Sequence, residues 1–224
     1  MKPRVLAVVP ARAHSKRIPG KNKKPFLGKP LIHWSIEAAL SSECVTDVIV
    51  TTDDEGILNF KNDYSKVHFV RRPEHLALDS TPGVDPILHL MTQLDKTYDY
   101  LVLLQPTSPL RTGAHIDQAF QVLLQSAKSQ VVSVKKIADP IGHIVFKGEK
   151  GVKFLKNELK TTAGEQDLKV LNGAIYISKW KTLLDEKTFL GSSVEFFEMD
   201  EFVSVDIDYP SDWERAESFA GMKA

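Results

Sequence analysis

Val9-Pro10-Ala11-Arg12-Ala13-His14-Ser15-Lys16-Arg17-Ile18-Pro19-Gly20-Lys21-Asn22 is the stretch on which the reading of this 224-residue chain turns. It follows Val5-Leu6-Ala7-Val8-Val9, a continuous apolar run of the kind that forms a strand buried on both faces. It precedes a helical pattern beginning near Pro30, with Ile32, Ile36, Ala39 and Leu40 on one face. The stretch therefore reads as the first strand-to-helix loop of an α/β sheet, at the end of the strands where such sheets bind ligands. It carries Arg12, Lys16, Arg17 and Lys21, and Pro10, Pro19 and Gly20 bend or restrict the backbone between them. A loop this cationic in that place suits a polyphosphate. Charge alone would describe a solvated basic loop; the position after a buried strand favours the phosphate.

Working outward, further strands are predicted at Val48–Thr52, Val67–Val70, Tyr100–Leu104 and Gln130–Val134, separated by helical patterns. One helix carries Ile87, Leu90, Met91 and Leu94; another carries Ile116, Ala119, Phe120, Leu123 and Leu124 behind Thr112, a candidate N-cap. The alternation predicts a mostly parallel sheet with helices on both faces. From Asp139 the pattern changes: His143–Phe146 and Val152–Leu155 flank a turn-rich connector and predict a hairpin, either a lid or an arm to a second subunit. Asn172–Ile177 returns to the sheet, Val203–Asp208 reads as a last strand, and Pro210 opens a closing helix with Trp213, Ala216 and Ala220. One domain over 1–224 is expected, with 139–171 as its arm.

Twenty-nine basic and 29 acidic side chains give zero formal net charge, so nothing draws the whole molecule to nucleic acid or membrane, and any cationic site is local. One cysteine, Cys44, permits no internal disulfide. No apolar stretch is long enough to span a bilayer, and the N-terminus lacks the features of a secretory signal. A soluble, cytoplasmic protein is expected.

Asp206 and Asp208 are the acidic counterpart of the basic loop. Two apart on a strand, they face one side and suit Mg²⁺, which takes one or two carboxylates and completes its shell with water and phosphate oxygens. Asp-x-Asp alone is a weak signal. Asp53 and Asp54 also end a strand, where N-capping by one of them is expected. Gln105, Thr107 and Ser108 follow the strongest strand and offer neutral hydrogen-bonding groups suited to a sugar or base. Of Arg71 and Arg72, one is expected at a nucleotide and the other at the surface. The histidines show no metal-ligand spacing, and there is no Walker-type loop or Gly-x-Gly-x-x-Gly fingerprint.

Together these motifs resemble the cytidylyltransferases that activate nine-carbon 2-keto sugar acids, the CMP-sialic acid synthetases and their legionaminic and pseudaminic acid relatives. The opening loop is similar to the family's Ala-Arg-x-x-Ser-Lys-x-x-Pro-x-Lys-Asn. Leu103–Arg111 resembles its central motif, and Asn172–Tyr176 and Asp206–Asp208 its late motifs. The resemblance implies a Rossmann-like nucleotidyltransferase fold, a homodimer built partly on the arm, CTP and a nonulosonic acid as substrates, and Mg²⁺ as cofactor. It implies that Ala11, Arg12, Ser15, Lys16, Lys21, Asn22 and Arg72 hold the nucleotide. It further implies that Gln105, Thr107, Ser108, Lys169 and Tyr176 serve the sugar, that Asp206 and Asp208 hold the metal, and that Arg12, Lys21 and Asp208 act in catalysis. Where many members carry arginines before Asn172, Gly164–Val170 has none, and Lys169 is the candidate replacement. Phe189 and Leu190 are candidates for an apolar wall against an N-acyl group. The alternatives are a metal-dependent glycosyltransferase and a nucleotide-binding protein without turnover.

Overall fold

The apolar run Val5–Val9 is continuous because both of its faces are covered. Val5, Ala7 and Val9 join one core, with Ile32, Ile36, Ile116 and Phe120; Leu6 and Val8 join another, with Ile87, Leu90, Trp180 and Leu183. The computed structural model describes residues 2–137, 143–148, 151–154 and 168–222. In chain order its strands are β1 (Val5–Ala11), β2 (Pro25–Phe26), β3 (Lys29–Pro30), β4 (Asp47–Thr52), β5 (Val67–Arg71), β6 (Tyr100–Leu103), β7 (Gln130–Lys136), β8 (Val145–Gly148), β9 (Gly151–Phe154), β10 (Lys169–Lys179) and β11 (Val194–Glu198). Its helices are α1 (Leu31–Ser41), α2 (Glu55–Leu58), α3 (Asp85–Thr92), α4 (Gly113–Gln125), α5 (Trp180–Glu186) and α6 (Pro210–Gly221).

Seven strands form the central sheet in the order β11-β7-β10-β6-β1-β4-β5. All are parallel except β10, which runs antiparallel to both β6 and β7. The chain winds from β1 outward to β4 and β5, then crosses to the other side of β1 with β6. The carboxyl ends of β1 and β6 therefore flank the point where winding reverses, where open α/β sheets form a crevice. The expected mostly parallel sheet with helices on both faces is what forms.

The differences are local. The stretch Val203–Asp208 is not a ladder strand: a 3-10 turn covers Glu201–Val203, and the extended piece that follows is tied by Ile207 N–H donating to the Thr107 carbonyl at 2.8 Å. The alternation still operates. Val205 and Ile207 sink into a third core with Ile18, Phe26, Leu31 and Trp213, leaving Asp206 and Asp208 on the other side. This core joins the cationic loop to the acidic stretch, and burying each such aliphatic side chain favours the arrangement by about 1.5–3 kcal/mol. Strand β11 and the small β2–β3 hairpin went unpredicted. The predicted hairpin pairs as β8–β9 in its own two-stranded sheet, its first strand two residues later and its second one residue earlier than expected, while Asp139 and Leu155 lie outside the described residues. Thr112 caps α4 in a capping box with His115, and Asp54 caps α2 through Gly56 N (2.8 Å) and Ile57 N (3.3 Å). Among the described residues no helix is long and apolar enough to cross a membrane. Cys44 is buried, and loss of hydration pushes its thiol up to about 12, so it is inert packing.

Candidate active site

A cleft of about 900 Å³ opens at the reversal point. Arg12, Ser15, Lys16, Arg17, Lys21 and Asn22 line it from the loop after β1; Gln105 and Thr107 from the end of β6; Gly173 and Tyr176 from β10; Asp206 and Asp208 from the extended stretch. Arg72 enters from the end of β5. Among the described residues the lining holds five cations against three carboxylates (Asp79, Asp206 and Asp208), so this part of the cleft is net positive in a molecule of zero formal charge. It is built for an anion.

Lys21 and Asp208 hold the two sides together. Lys21, only 9% exposed, donates to the Ile207 carbonyl at 2.6 Å and to Asp208 Oδ1 at 3.1 Å. Arg17 donates to Asp208 Oδ2 at 2.7 Å and lies over the Tyr209 ring. Partial burial pushes the Asp208 carboxyl up, but hydrogen bonds and charge from Lys21 and Arg17 outweigh it, and Asp208 is held below the usual carboxylate range. Asp206 goes the other way. Its side chain is accessible from the cleft yet surrounded by protein. That burial raises its proton affinity, and the charges of Asp208 and Asp212 add to the rise against a hydrogen bond from Thr107 and the charge of Lys21. Tyr176 is also raised, by burial and then by Asp206.

Two buried polar networks hold the irregular part of β10. The pairing register with β7 slips between Leu171 and Tyr176, and Gly173 lies there with φ +76°. Asn172 accepts from Ser133 Oγ (2.6 Å) and from Ala174 N (3.1 Å) and donates to Ser204 Oγ (2.9 Å). On the other side Arg111, 2% exposed, donates Nε to the Ala174 carbonyl (2.9 Å) and Nη2 to Ser35 Oγ (2.8 Å) and the Gln105 carbonyl (2.9 Å). Burial lowers its pKa to about 9, which leaves it charged at neutral pH. Arg111 thus sets the spacing between Gln105 and the Gly173 turn. Arg111→Met removes three hydrogen bonds and relieves the burial of an unpaired charge; the acceptors left behind dominate, so urea unfolding should show a net loss of about 1–3 kcal/mol.

The predicted site residues fall into two groups. Arg12, Ser15, Lys16, Lys21, Asn22, Arg72, Gln105, Thr107, Tyr176, Asp206 and Asp208 line one cleft. Arg72 is the buried one of its pair, anchored by Nη2 on the Thr51 carbonyl at 3.0 Å, while exposed Arg71 pairs with Glu55. Ala11 is buried within β1, and its side chain does not reach the cleft. Two placements are corrected. Ser108 is fully buried, because the turn after Pro106 points it into the protein. Lys169 pairs with Glu198 on β11 at 2.7 Å and is not part of the cleft lining, since the start of β10 is pinned beside β7. Phe189 and Leu190 do line the cleft, Phe189 against Tyr176 with ring centroids 5.8 Å apart. Sequence reasoning missed Asp79, whose carboxylate bridges Arg12 and Lys16 at 2.5 Å each. A single acidic residue 67 positions from its partner leaves no local signal.

A cytidylyltransferase family model matches residues 6–223. The chain belongs to the cytidylyltransferase family. This cytidylyltransferase is 36% identical over 223 residues to the CMP-N,N'-diacetyllegionaminic acid synthase of Legionella pneumophila, covering 94% of this chain and 93% of that protein. It is 32% identical to a pseudaminic acid cytidylyltransferase of Campylobacter jejuni, covering 94% of each. It is 34% identical to the N-acylneuraminate cytidylyltransferase of Escherichia coli, covering 96% of this chain but 52% of that longer protein. Among solved structures it is similar to a CMP-2-keto-3-deoxy-manno-octonic acid synthetase complexed with CTP, with TM-score 0.70, 19% identity and coverage of 99% and 100%. It also resembles the 4-diphosphocytidyl-2C-methyl-D-erythritol synthase of Anaerococcus prevotii, with TM-score 0.73, 11% identity and coverage of 98% and 96%. These two likenesses show the fold.

Proposed function

We propose that the protein transfers CMP from CTP to the anomeric 2-hydroxyl of a nine-carbon 2-keto sugar acid and releases pyrophosphate. The observation that carries this is the meeting, across one cleft, of the cationic loop after β1 with the carboxylates of Asp206 and Asp208. The relatives named for legionaminic, pseudaminic and N-acylneuraminic acids support the substrate class. In the transfer, the 2-hydroxyl oxygen bonds to the α-phosphorus, the bond from that phosphorus to the bridging oxygen breaks, and pyrophosphate leaves with the electron pair. Such a step needs positioning and charge neutralisation more than covalent help. Arg12, Lys16 and Lys21 neutralise the phosphates, Ser15 donates a hydrogen bond to them, and Asn22 and Arg72 hold the nucleoside. The hydroxyl proton passes to one of the two cleft carboxylates, Asp206 or Asp208.

The donor set fits Mg²⁺. Asp206 and Asp208 line the cleft, and no group of three or more His, Cys, Asp or Glu side chains among the described residues forms a complete protein cage. Two carboxylates completed by water and substrate phosphates is the usual arrangement for this ion. When bound there it would offset charge on the phosphate oxygens. Gln105, Thr107, Tyr176, Phe189 and Leu190 would face the sugar. The β8–β9 hairpin is the proposed arm of a homodimer, since a two-stranded hairpin alone is marginal in water. Light scattering should then give twice 25.1 kDa.

The test is pyrophosphate release with CTP, Mg²⁺ and a panel of nonulosonic acids, with an eight-carbon 2-keto acid and no sugar as controls. Release with one nine-carbon acid supports the proposal and names the sugar. Release with the eight-carbon acid alone, or CTP binding without release for any acid, overturns it.

A further inference from the structure

Asp79 sits where an anion would be expected. It lies on the loop between β5 and α3, and Leu76–Asp79 and Thr81–Val84 of that loop line the cleft. Its carboxylate oxygens go separately to the first two phosphate-facing cations, Oδ1 to Arg12 Nη1 and Oδ2 to Lys16 Nζ. The loop's own backbone bonds are short turns, Ala77 N to the Glu74 carbonyl, Thr81 N to Leu78 and Asp85 N to Pro82. Its tie across the cleft is Asp79. Below that tie the loop is anchored at Arg72, whose N–H donates to the Thr52 carbonyl at 2.7 Å, and above it by the buried Ile87 and Leu90 of α3.

We infer that Asp79 is a tethered stand-in for phosphate, which holds Arg12 and Lys16 in the ligand-free site, yields them to the nucleotide's phosphate tail, and so sets the affinity for that tail. The assignment rests on the nucleotide reading of the cleft. Three facts support it. Hydrogen bonds from Lys16 and then Arg12 hold the Asp79 carboxyl below its usual range, so it is an anion at neutral pH. All three side chains are well exposed, Lys16 at 80%, so the pairs are individually weak and separable. A phosphate chain offers both cations more charge and more acceptor oxygens than one carboxylate, and arginine binds phosphate in a forked geometry. The same competition runs backwards after the transfer: Asp79 returns to Arg12 and Lys16 as pyrophosphate leaves.

Calorimetric titration of the wild-type protein, Asp79→Asn and Asp79→Glu with inorganic pyrophosphate, CTP and CMP in Mg²⁺ buffer tests this. Asp79→Asn removes the competing charge and keeps the shape. It should bind pyrophosphate and CTP about threefold to tenfold more tightly, the worth of two exposed ion pairs. CMP, which lacks the tail, should change by less than about twofold on the same reasoning. Asp79→Glu should stay near wild type. Unchanged or weaker pyrophosphate binding by Asp79→Asn would mean that the carboxylate orients the cations for the ligand, and would overturn the inference. An equal gain for CMP would also overturn it, because the effect would not belong to the tail. Wild-type binding of pyrophosphate without any binding of CTP would reject the cytidylyl reading, while the pyrophosphate arm still decides the role of Asp79.

Discussion

Changing Lys21 to alanine is expected to lower kcat for pyrophosphate release by about a hundredfold to a thousandfold, the cost of one preorganised charge donor. Lys21 is nearly buried, and its ammonium reaches both the Ile207 carbonyl and Asp208. It is therefore fixed before substrate arrives and costs no reorganisation during the reaction. Its loss acts twice: a positive charge leaves the phosphate site, and Asp208 loses one of the two cationic side chains that pair with it among the described residues. Steady-state kinetics with CTP varied at saturating sugar would check it. The signature is a fall in kcat larger than the rise in KM. A variant with wild-type kcat would remove Lys21 from the chemistry. Arg12→Ala acts in the same direction through the phosphates.

Gly173→Ala is expected to lower kcat by about tenfold, because side chains that line the cleft must shift by a few tenths of an ångström, less than the displacement of about 1 Å that costs about a hundredfold. The backbone there has φ +76°, and a Cβ would lie 3.1 Å from Gln105 Oε1 and 3.2 Å from Asp206 Oδ2. Both side chains would give way, and both face the substrate cleft. The backbone penalty of an L-residue in this region adds roughly 1–2 kcal/mol of instability. Gly28→Ala separates the two effects. Gly28 has φ +86° in the β2–β3 turn, but a Cβ there meets nothing within 4 Å. It should lose similar stability in urea and keep its turnover. Equal activity of the two variants would show that the close approach at Gly173 has no catalytic meaning.

The legible parts of this protein were those written locally. Val5–Val9 announced a doubly covered strand because every position is apolar. The loop after it announced an anion site because four cations follow a strand end. Thr112, and the Asp53–Asp54 pair without telling which of the two, announced their caps because capping acts over two or three residues. What stayed hidden depends on the fold bringing distant residues together. Nothing near Arg111 shows that it spans from Gln105 to Ala174, and nothing near Asp79 points to Arg12. Ser108 was misplaced because its neighbours Gln105 and Thr107 do face the cleft, and a proline turn rotates one residue inward without changing the composition. Lys169 was misplaced because a lone cation before a glycine turn is equally consistent with a ligand or with Glu198 across the sheet.

The reversed direction of β10 has a consequence for how this molecule can diversify. The chain departs at Lys136 and re-enters at Lys169, and those two residues face each other as rungs of one ladder. Whatever lies between them is grafted onto a doorway whose two posts are already fixed. Because the cost of closing a loop grows only slowly with its length, that graft can be exchanged or resized while the frame stays as it is. Two residues past the doorway Leu171 lines the cleft, so new contacts can be tried nearby without renegotiating the sheet.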